Sequence, residues 1–245
     1  MRIGVFDSGI GGLTVLKSLI KKHPNHQYFY FGDTINLPYG EKTKDQLYSF
    51  TSKIIDFLLS KKIDIIIIAC GTVSSNIYDD IKNNYDVKII DVINPAIGYI
   101  QNQSYKQVGI IGTHMTIKSK VFEKKLNIPV ITVECPMFVP LIENSLVDTA
   151  DFNKYINEYL SVFKTKNIEA LVLGCTHYPL ITSQINKYLS KDIKLIDLGE
   201  VIANTITIEN EQKQVVELYF SKVDNNLINN VQNIIGDYII IEKRL

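Results

Sequence analysis

Asp64-Ile65-Ile66-Ile67-Ile68-Ala69-Cys70 returns 105 residues downstream as Glu169-Ala170-Leu171-Val172-Leu173-Gly174-Cys175. Apolar runs this short read as strands buried on both faces of a parallel sheet. The repeat extends outward from these two copies. Ile3-Gly4-Val5-Phe6-Asp7-Ser8-Gly9 corresponds to Val108-Gly109-Ile110-Ile111-Gly112-Thr113, and 66 positions separate Gly4 from Cys70, as they do Gly109 from Cys175. Tyr28 to Glu41 aligns with Val130 to Glu143, superposing Pro38 on Pro140. Lys88-Ile89-Ile90-Asp91-Val92 aligns with Lys194-Leu195-Ile196-Asp197-Leu198. Four matches in one order, with offsets between 102 and 106, describe a duplicated four-strand unit.

The rest of the chain fits that unit. Strands are expected at 2–6, 27–31, 64–69, 87–92, 107–111, 129–133, 169–174 and 193–197. Helical spacing fills 12–22, 43–61, 74–84, 95–103, 116–125, 149–165 and 179–190. The alternation predicts an α/β fold of two pseudo-symmetric parallel-sheet α/β domains, with right-handed crossovers and an active site in the cleft between them. The first domain is expected to comprise 1–93 plus 205–245, and the second 94–204. Residues beyond about 205 have no repeat counterpart; Leu227 to Ile235 reads as a helix and Tyr238-Ile239-Ile240-Ile241 as a short strand returning to the first half.

Composition narrows the function. Lys+Arg and Asp+Glu both number 26, so no net field favours nucleic acid or an anionic membrane. The longest apolar run, Ile65 to Cys70, is far too short to span a bilayer. The N-terminus enters a strand without a basic region or a cleavage site, so no signal peptide is expected. Three cysteines in a chain of 245 residues do not make a disulfide framework, and reduced thiols in the cytoplasm are the expectation.

Ligands of open parallel sheets bind beyond the strands' carboxyl ends, where Asp7, Cys70, Thr113 and Cys175 all fall. A pseudo-twofold pair of thiols on one cleft suits racemisation, in which one base takes the Cα proton and a protonated partner returns one to the other face. Contacts of roughly 3–3.5 Å on each side set the sulfurs about 6–7 Å apart, too far for a redox disulfide. No phosphate cradle with a Schiff-base lysine stands out, so no cofactor and no metal are expected. Asp7 and His177 are the natural orienting groups, and Glu143 follows Val139-Pro140-Leu141-Ile142. Cys135 has no repeat partner and reads as a small buried hydrophobe. Asp7-Ser8-Gly9-Ile10-Gly11-Gly12 breaks the dinucleotide-loop spacing; its backbone N–H groups and Ser8 are expected to receive a substrate carboxylate.

Phe6-Asp7-Ser8-Gly9-Ile10-Gly11-Gly12-Leu13-Thr14-Val15, Gly32-Asp33-Thr34, Pro38-Tyr39-Gly40 and Leu173-Gly174-Cys175-Thr176-His177-Tyr178-Pro179-Leu180 resemble the bacterial glutamate racemases, members of the cofactor-independent aspartate/glutamate racemases. The resemblance runs from residue 1 to about 240. It implies an isomerase that interconverts L- and D-glutamate and supplies D-glutamate for peptidoglycan, and hence for cell-wall biogenesis and cell shape. By motif, Cys70 takes the proton from D-glutamate and Cys175 from L-glutamate, assisted by Asp7, Glu143 and His177. Ser8, Tyr39, Gly40, Thr72, Thr113, Thr116 and Thr176 would hold the amino acid, with Asp7, Pro38, Gly71 and His177 beside them. A cytoplasmic homodimer acting on a small molecule, without nucleic acid or membrane, is the accompanying expectation.

The chain departs from that motif once. The family reads Ala-Cys-Asn-Thr where this chain has Ala69-Cys70-Gly71-Thr72. Losing one hydrogen bond to a charged head group costs roughly 1.5–3 kcal/mol, so Gly71→Asn is expected to raise kcat/KM by at most about 10- to 150-fold. Ser74, Ser75, Asn76 or a water are the candidate compensators. The rival readings are a racemase preferring aspartate or another acidic amino acid, and a non-catalytic amino-acid-binding paralogue.

Overall fold

The duplication is visible in the strand order of the computed structural model, which describes residues 1–209 and 213–245. The first half builds β1 (Arg2–Asp7), α1 (Gly12–Lys22), β2 (Gln27–Gly32), α2 (Lys44–Ser60), β3 (Ile65–Ile68), α3 (Gly71–Asn76), α4 (Tyr78–Ile81), β4 (Lys88–Asp91) and α5 (Ile93–Gln101). The second builds β5 (Val108–Gly112), α6 (His114–Lys118), α7 (Val121–Lys125), β6 (Val130–Glu134), α8 (Phe138–Glu143), α9 (Ala150–Thr165), β7 (Ala170–Leu173), α10 (Thr182–Tyr188), β8 (Lys194–Asp197) and α11 (Leu198–Thr205). One sheet contains the order β2-β1-β3-β4 and the other β6-β5-β7-β8, all parallel. Even the helix caps repeat. Asp91 Oδ1 accepts the Ile93 and Asn94 amides at the start of α5, and Asp197 Oδ1 accepts the Gly199 amide at the start of α11.

The first sheet exceeds four strands. The chain continues into β9 (Val215–Phe220), α12 (Asn225–Ile235) and β10 (Ile240–Glu242), and the two strands extend the β2 edge in parallel, giving six strands among the described residues. The return to the first half was expected; β9 was not, because the repeat offered no template for it. Its Val-Val-Glu-Leu-Tyr-Phe sequence has ordinary strand composition. Phe220 is fully buried against the Tyr30 ring and the face of Gly32. Phe220→Ala should therefore lower unfolding stability by about 3–5 kcal/mol, measured by denaturant titration.

Several helix boundaries also differ from expectation. The helix expected over 74–84 begins at Gly71 and breaks at Ile77, so Cys70 itself occupies the N-cap of α3. The helix expected over 116–125 divides at Lys120, whose φ of 54° is left-handed. The stretch 179–190 opens as a 3-10 turn, Tyr178–Ile181, before α10. α8 and α11 were not anticipated.

One apolar cluster runs through both halves, joining Val5 and Leu16 to Ile110 and Val172 through Ile97 on α5 and Ile202 on α11. α11 leaves the second sheet and packs on α1 of the first. Separate clusters fill the outer faces; Cys135 is buried in that of the second half. No helix among the described residues is long and apolar enough to cross a membrane.

Candidate active site

The carboxyl ends of β1, β3, β5 and β7 converge on one cavity of about 420 Å³ between the sheets. Asp7, Ser8, Pro38, Tyr39, Gly40, Cys70, Gly71 and Thr72 line it from the first half, and Thr113, Cys175, Thr176 and His177 from the second. Both thiols are nearly closed to solvent.

The Cys175 side carries a relay. The Cys175 sulfur lies 3.7 Å from His177 Nδ1, and His177 Nε2 lies 2.6 Å from Glu143 Oε1. A carboxylate only accepts, so Nε2 is the protonated nitrogen, and the Nδ1 lone pair of the neutral ring faces the thiol. Burial alone would lower the His177 pKa, but hydrogen bonds with Cys175 and Glu143 outweigh it and raise the value well above the ordinary imidazole range. Glu143 lies behind His177 rather than on the cavity wall, and its Oε1 also accepts the Ile10 amide of the opposite half at 3.1 Å.

The Cys70 side is built differently. Burial, and then the charge of Asp7, push the Cys70 thiol well above its ordinary value; the amides of Val73 and Thr72 in the first turn of α3 act in the other direction. Asp7 Oδ2 accepts the Gly9 amide at 3.3 Å and the Gly12 amide at 2.8 Å, while Oδ1 accepts the Thr176 hydroxyl at 3.3 Å. This corrects the reading of the glycine-rich loop. Three of its backbone N–H groups, those of Gly9, Gly12 and Ile10, go to the protein's own carboxylates, Asp7 and Glu143. A Cβ on Gly9 would overlap the Glu143 carboxylate, and one on Gly11 would lie 2.6 Å from His177 Cε1, so these glycines admit the relay of the other half.

Thr116 also sits one step back. The hydroxyls of Thr72 and Thr113 meet across the cleft at 2.9 Å, and Thr116 supports Thr113 from behind at 3.0 Å. The structure adds wall residues that sequence reasoning missed: Glu41, Pro136, Val139 and a rim pair, His114 and Glu134, joined at 2.9 Å. His114 and Glu134 adjoin the ends of β5 and β6, the same sheet edge that gave the other candidates. Supporting groups were missed too. Tyr39 donates to Asp33 at 2.6 Å, Tyr30 donates to Gly9 O at 2.5 Å, and Asn226 and Asn230 of α12 donate to Glu143 O. Two asparagines spaced i, i+4 inside a helix, where asparagine propensity is poor, were the available signal for that last contact.

The expectation for Gly71 is overturned. A Cβ built there would overlap the backbone carbonyl oxygen of Gly174, well inside the 3.0 Å that real Cβ atoms keep. The space an asparagine needs is held by the second half's own backbone, so Gly71→Asn is not expected to raise activity. The named compensators are engaged elsewhere: Ser74 with Ile68 O, Ser75 with Thr72 O, and Asn76 with Thr72 O and Met115 O.

Known proteins share this architecture. A family model described as Asp/Glu/hydantoin racemase matches residues 9–206. A glutamate racemase of Hydrogenobaculum sp. is 38% identical over 243 residues, 96% of this chain and 93% of the relative. The solved glutamate racemase RacE1 of Bacillus anthracis superposes with a TM-score of 0.90 at 28% identity, covering 100% of this chain and 97% of that one. A Francisella tularensis glutamate racemase solved with D-glutamate gives 0.88 at 32% identity, covering 100% and 97%. By sequence and by fold, the chain belongs to the Asp/Glu/hydantoin racemase family.

Proposed function

We propose that this protein is a glutamate racemase working through two thiols without a cofactor. One observation carries the reading: two buried thiols at repeat-equivalent strand ends share one cavity, and one of them contacts a carboxylate–imidazole relay. From L-glutamate, the Cys175 thiolate takes the Cα proton, and the electron pair of that bond stays on the substrate as a carbanion. The Cys70 thiol then gives its proton to the opposite face, yielding D-glutamate, a Cys70 thiolate and a Cys175 thiol. Once D-glutamate leaves, Cys175 releases its proton to solvent and Cys70 takes one up, which restores the starting state; the same steps run backwards convert D-glutamate to L-glutamate. His177 holds or returns the Cys175 proton, and Glu143 steadies the imidazolium. Asp7 stands beside Cys70, where its charge favours the protonated, donating form. Ser8, Tyr39, Thr72, Thr113 and Thr176 offer hydroxyls to the bound amino acid.

The glutamate racemases among its relatives support glutamate over the aspartate-preferring alternative, and paired thiols have no use in a pure binder. The two domains of this reading are residues 1–93 with 205–245, and 94–204. The family resemblance and three free cysteines support a cytoplasmic homodimer supplying D-glutamate for peptidoglycan, and hence for cell shape. Optical rotation tests the activity: L-glutamate should decay to zero rotation, and L-aspartate much more slowly. Preferential loss of L-aspartate rotation would replace the substrate, and no change with either would end the reading.

A pH dependence follows from Cys70. L- and D-glutamate have equal free energies in achiral water, so kcat/KM is equal in both directions at every pH and cannot report one thiol. Elimination of chloride from 3-chloro-D-glutamate can, because it is irreversible and uses one base. That base is Cys70, with a raised pKa. The elimination rate should therefore keep rising with pH beyond the ordinary thiol value. A plateau below that value would contradict the assignment of Cys70.

A further inference from the structure

We propose that Gly71, pressed bare against the Gly174 carbonyl, is a positioning residue that sets the separation of the two thiols. The proposal rests on the two-thiol reading. Gly71 follows Cys70 directly and Gly174 precedes Cys175 directly, so their contact joins the two thiol-bearing turns, backbone to backbone, across the cleft. The obstruction is the oxygen, which overlaps the Cβ position; the Gly174 carbonyl carbon and Cys175 Cα stand behind it at ordinary contact distances of 3.4 and 3.8 Å, so what must give is backbone and not the end of a flexible side chain. Gly174 cannot retreat freely either, because its amide donates to Ile111 O at 2.8 Å and its own Cβ position lies 2.6 Å from that oxygen.

Nor can α3 slide aside. Its Thr72 hydroxyl meets Thr113 at 2.9 Å, and Asn76 Nδ2 donates to Met115 O at 3.2 Å, both in the opposite half. Gly40 presses the same seam, with its Cβ position 2.9 Å from Thr113 Cβ. A side chain at 71 is therefore accommodated by parting the two turns, on the order of 1 Å to restore van der Waals spacing. Transfer across Cα needs both sulfurs within reach at once; elimination needs one.

Gly71→Ala is the test, read as racemisation of glutamate against chloride elimination from 3-chloro-L- and 3-chloro-D-glutamate. In elimination the single base takes the Cα proton, the C–H electrons form the Cα–Cβ double bond, and chloride leaves with the C–Cl pair. Water then converts the enamine to 2-oxoglutarate and ammonia, which are easily assayed. A misplacement of this size should slow racemisation about 100-fold, and the ratio of racemisation to elimination should fall at least about tenfold. Retained elimination itself certifies a folded, substrate-binding protein. Unchanged racemisation overturns the proposal, and so does a parallel loss of all three reactions, the mark of a folding or binding role. Wild-type protein that fails to racemise glutamate would instead sink the functional reading.

Discussion

Cys175→Ser is expected to abolish racemisation of both glutamate enantiomers while leaving chloride elimination from 3-chloro-D-glutamate intact. Cys70→Ser should do the same with the enantiomers exchanged, sparing only 3-chloro-L-glutamate. Inversion requires a base on one face and an acid on the other, and a serine hydroxyl is too weak an acid or base at neutral pH to replace either. Loss of a positioned proton-transfer group typically costs about 10²- to 10⁴-fold, and here both directions fall together because each uses both thiols. For each variant, polarimetry gives racemisation of both glutamate enantiomers and 2-oxoglutarate assays give elimination from both chloro substrates. Wild-type racemisation by either variant would remove the two-thiol mechanism.

His177→Asn should produce the next largest loss, about 10²- to 10⁴-fold in kcat/KM, equal in both directions. The asparagine leaves no proton acceptor where His177 Nδ1 lies 3.7 Å from the Cys175 sulfur. The asymmetry will appear in elimination: the L substrate, deprotonated by Cys175, slows, while the D substrate, deprotonated by Cys70, continues. Glu143→Gln should cost less. A glutamine oxygen can still accept from both His177 Nε2 and the Ile10 amide, which share one oxygen of Glu143, and only the charge opposite the imidazolium is lost. Equal slowing of both eliminations in His177→Asn would mean that His177 acts on the whole cavity rather than on Cys175.

Much of this was legible because the chain carries its own alignment. Duplication set Cys70 against Cys175 and Asp91 against Asp197, and the strand-end rule then put the chemistry on one edge. What duplication could not show is what occurs once. β9 and α12 have no repeat counterpart, and with them went the Phe220 packing and the two asparagines that brace Glu143. Contacts between the halves were equally hidden. The Gly9, Ile10 and Gly12 amides of the glycine-rich loop looked ready for a substrate carboxylate, yet Asp7 and Glu143 take them, because only the folded chain brings residue 143 to residue 10. Gly71 looked like a lost contact for the same reason. One residue's missing side chain cannot be judged until the Gly174 backbone that fills its place is in view.

The central claim is that two different thiols handle the two faces of Cα, and early isotope content in heavy water tests it most directly. L-glutamate is incubated in deuterium oxide, and the first few per cent of conversion is analysed after chiral separation. The D-glutamate formed should carry deuterium at Cα, because Cys70 delivers a solvent-derived proton to the face opposite Cys175. The remaining L-glutamate should keep its original hydrogen. Deuterium entering the unreacted L-glutamate as fast as the D product forms, or D-glutamate that retains the substrate hydrogen, would mean that one base serves both faces and would contradict the account.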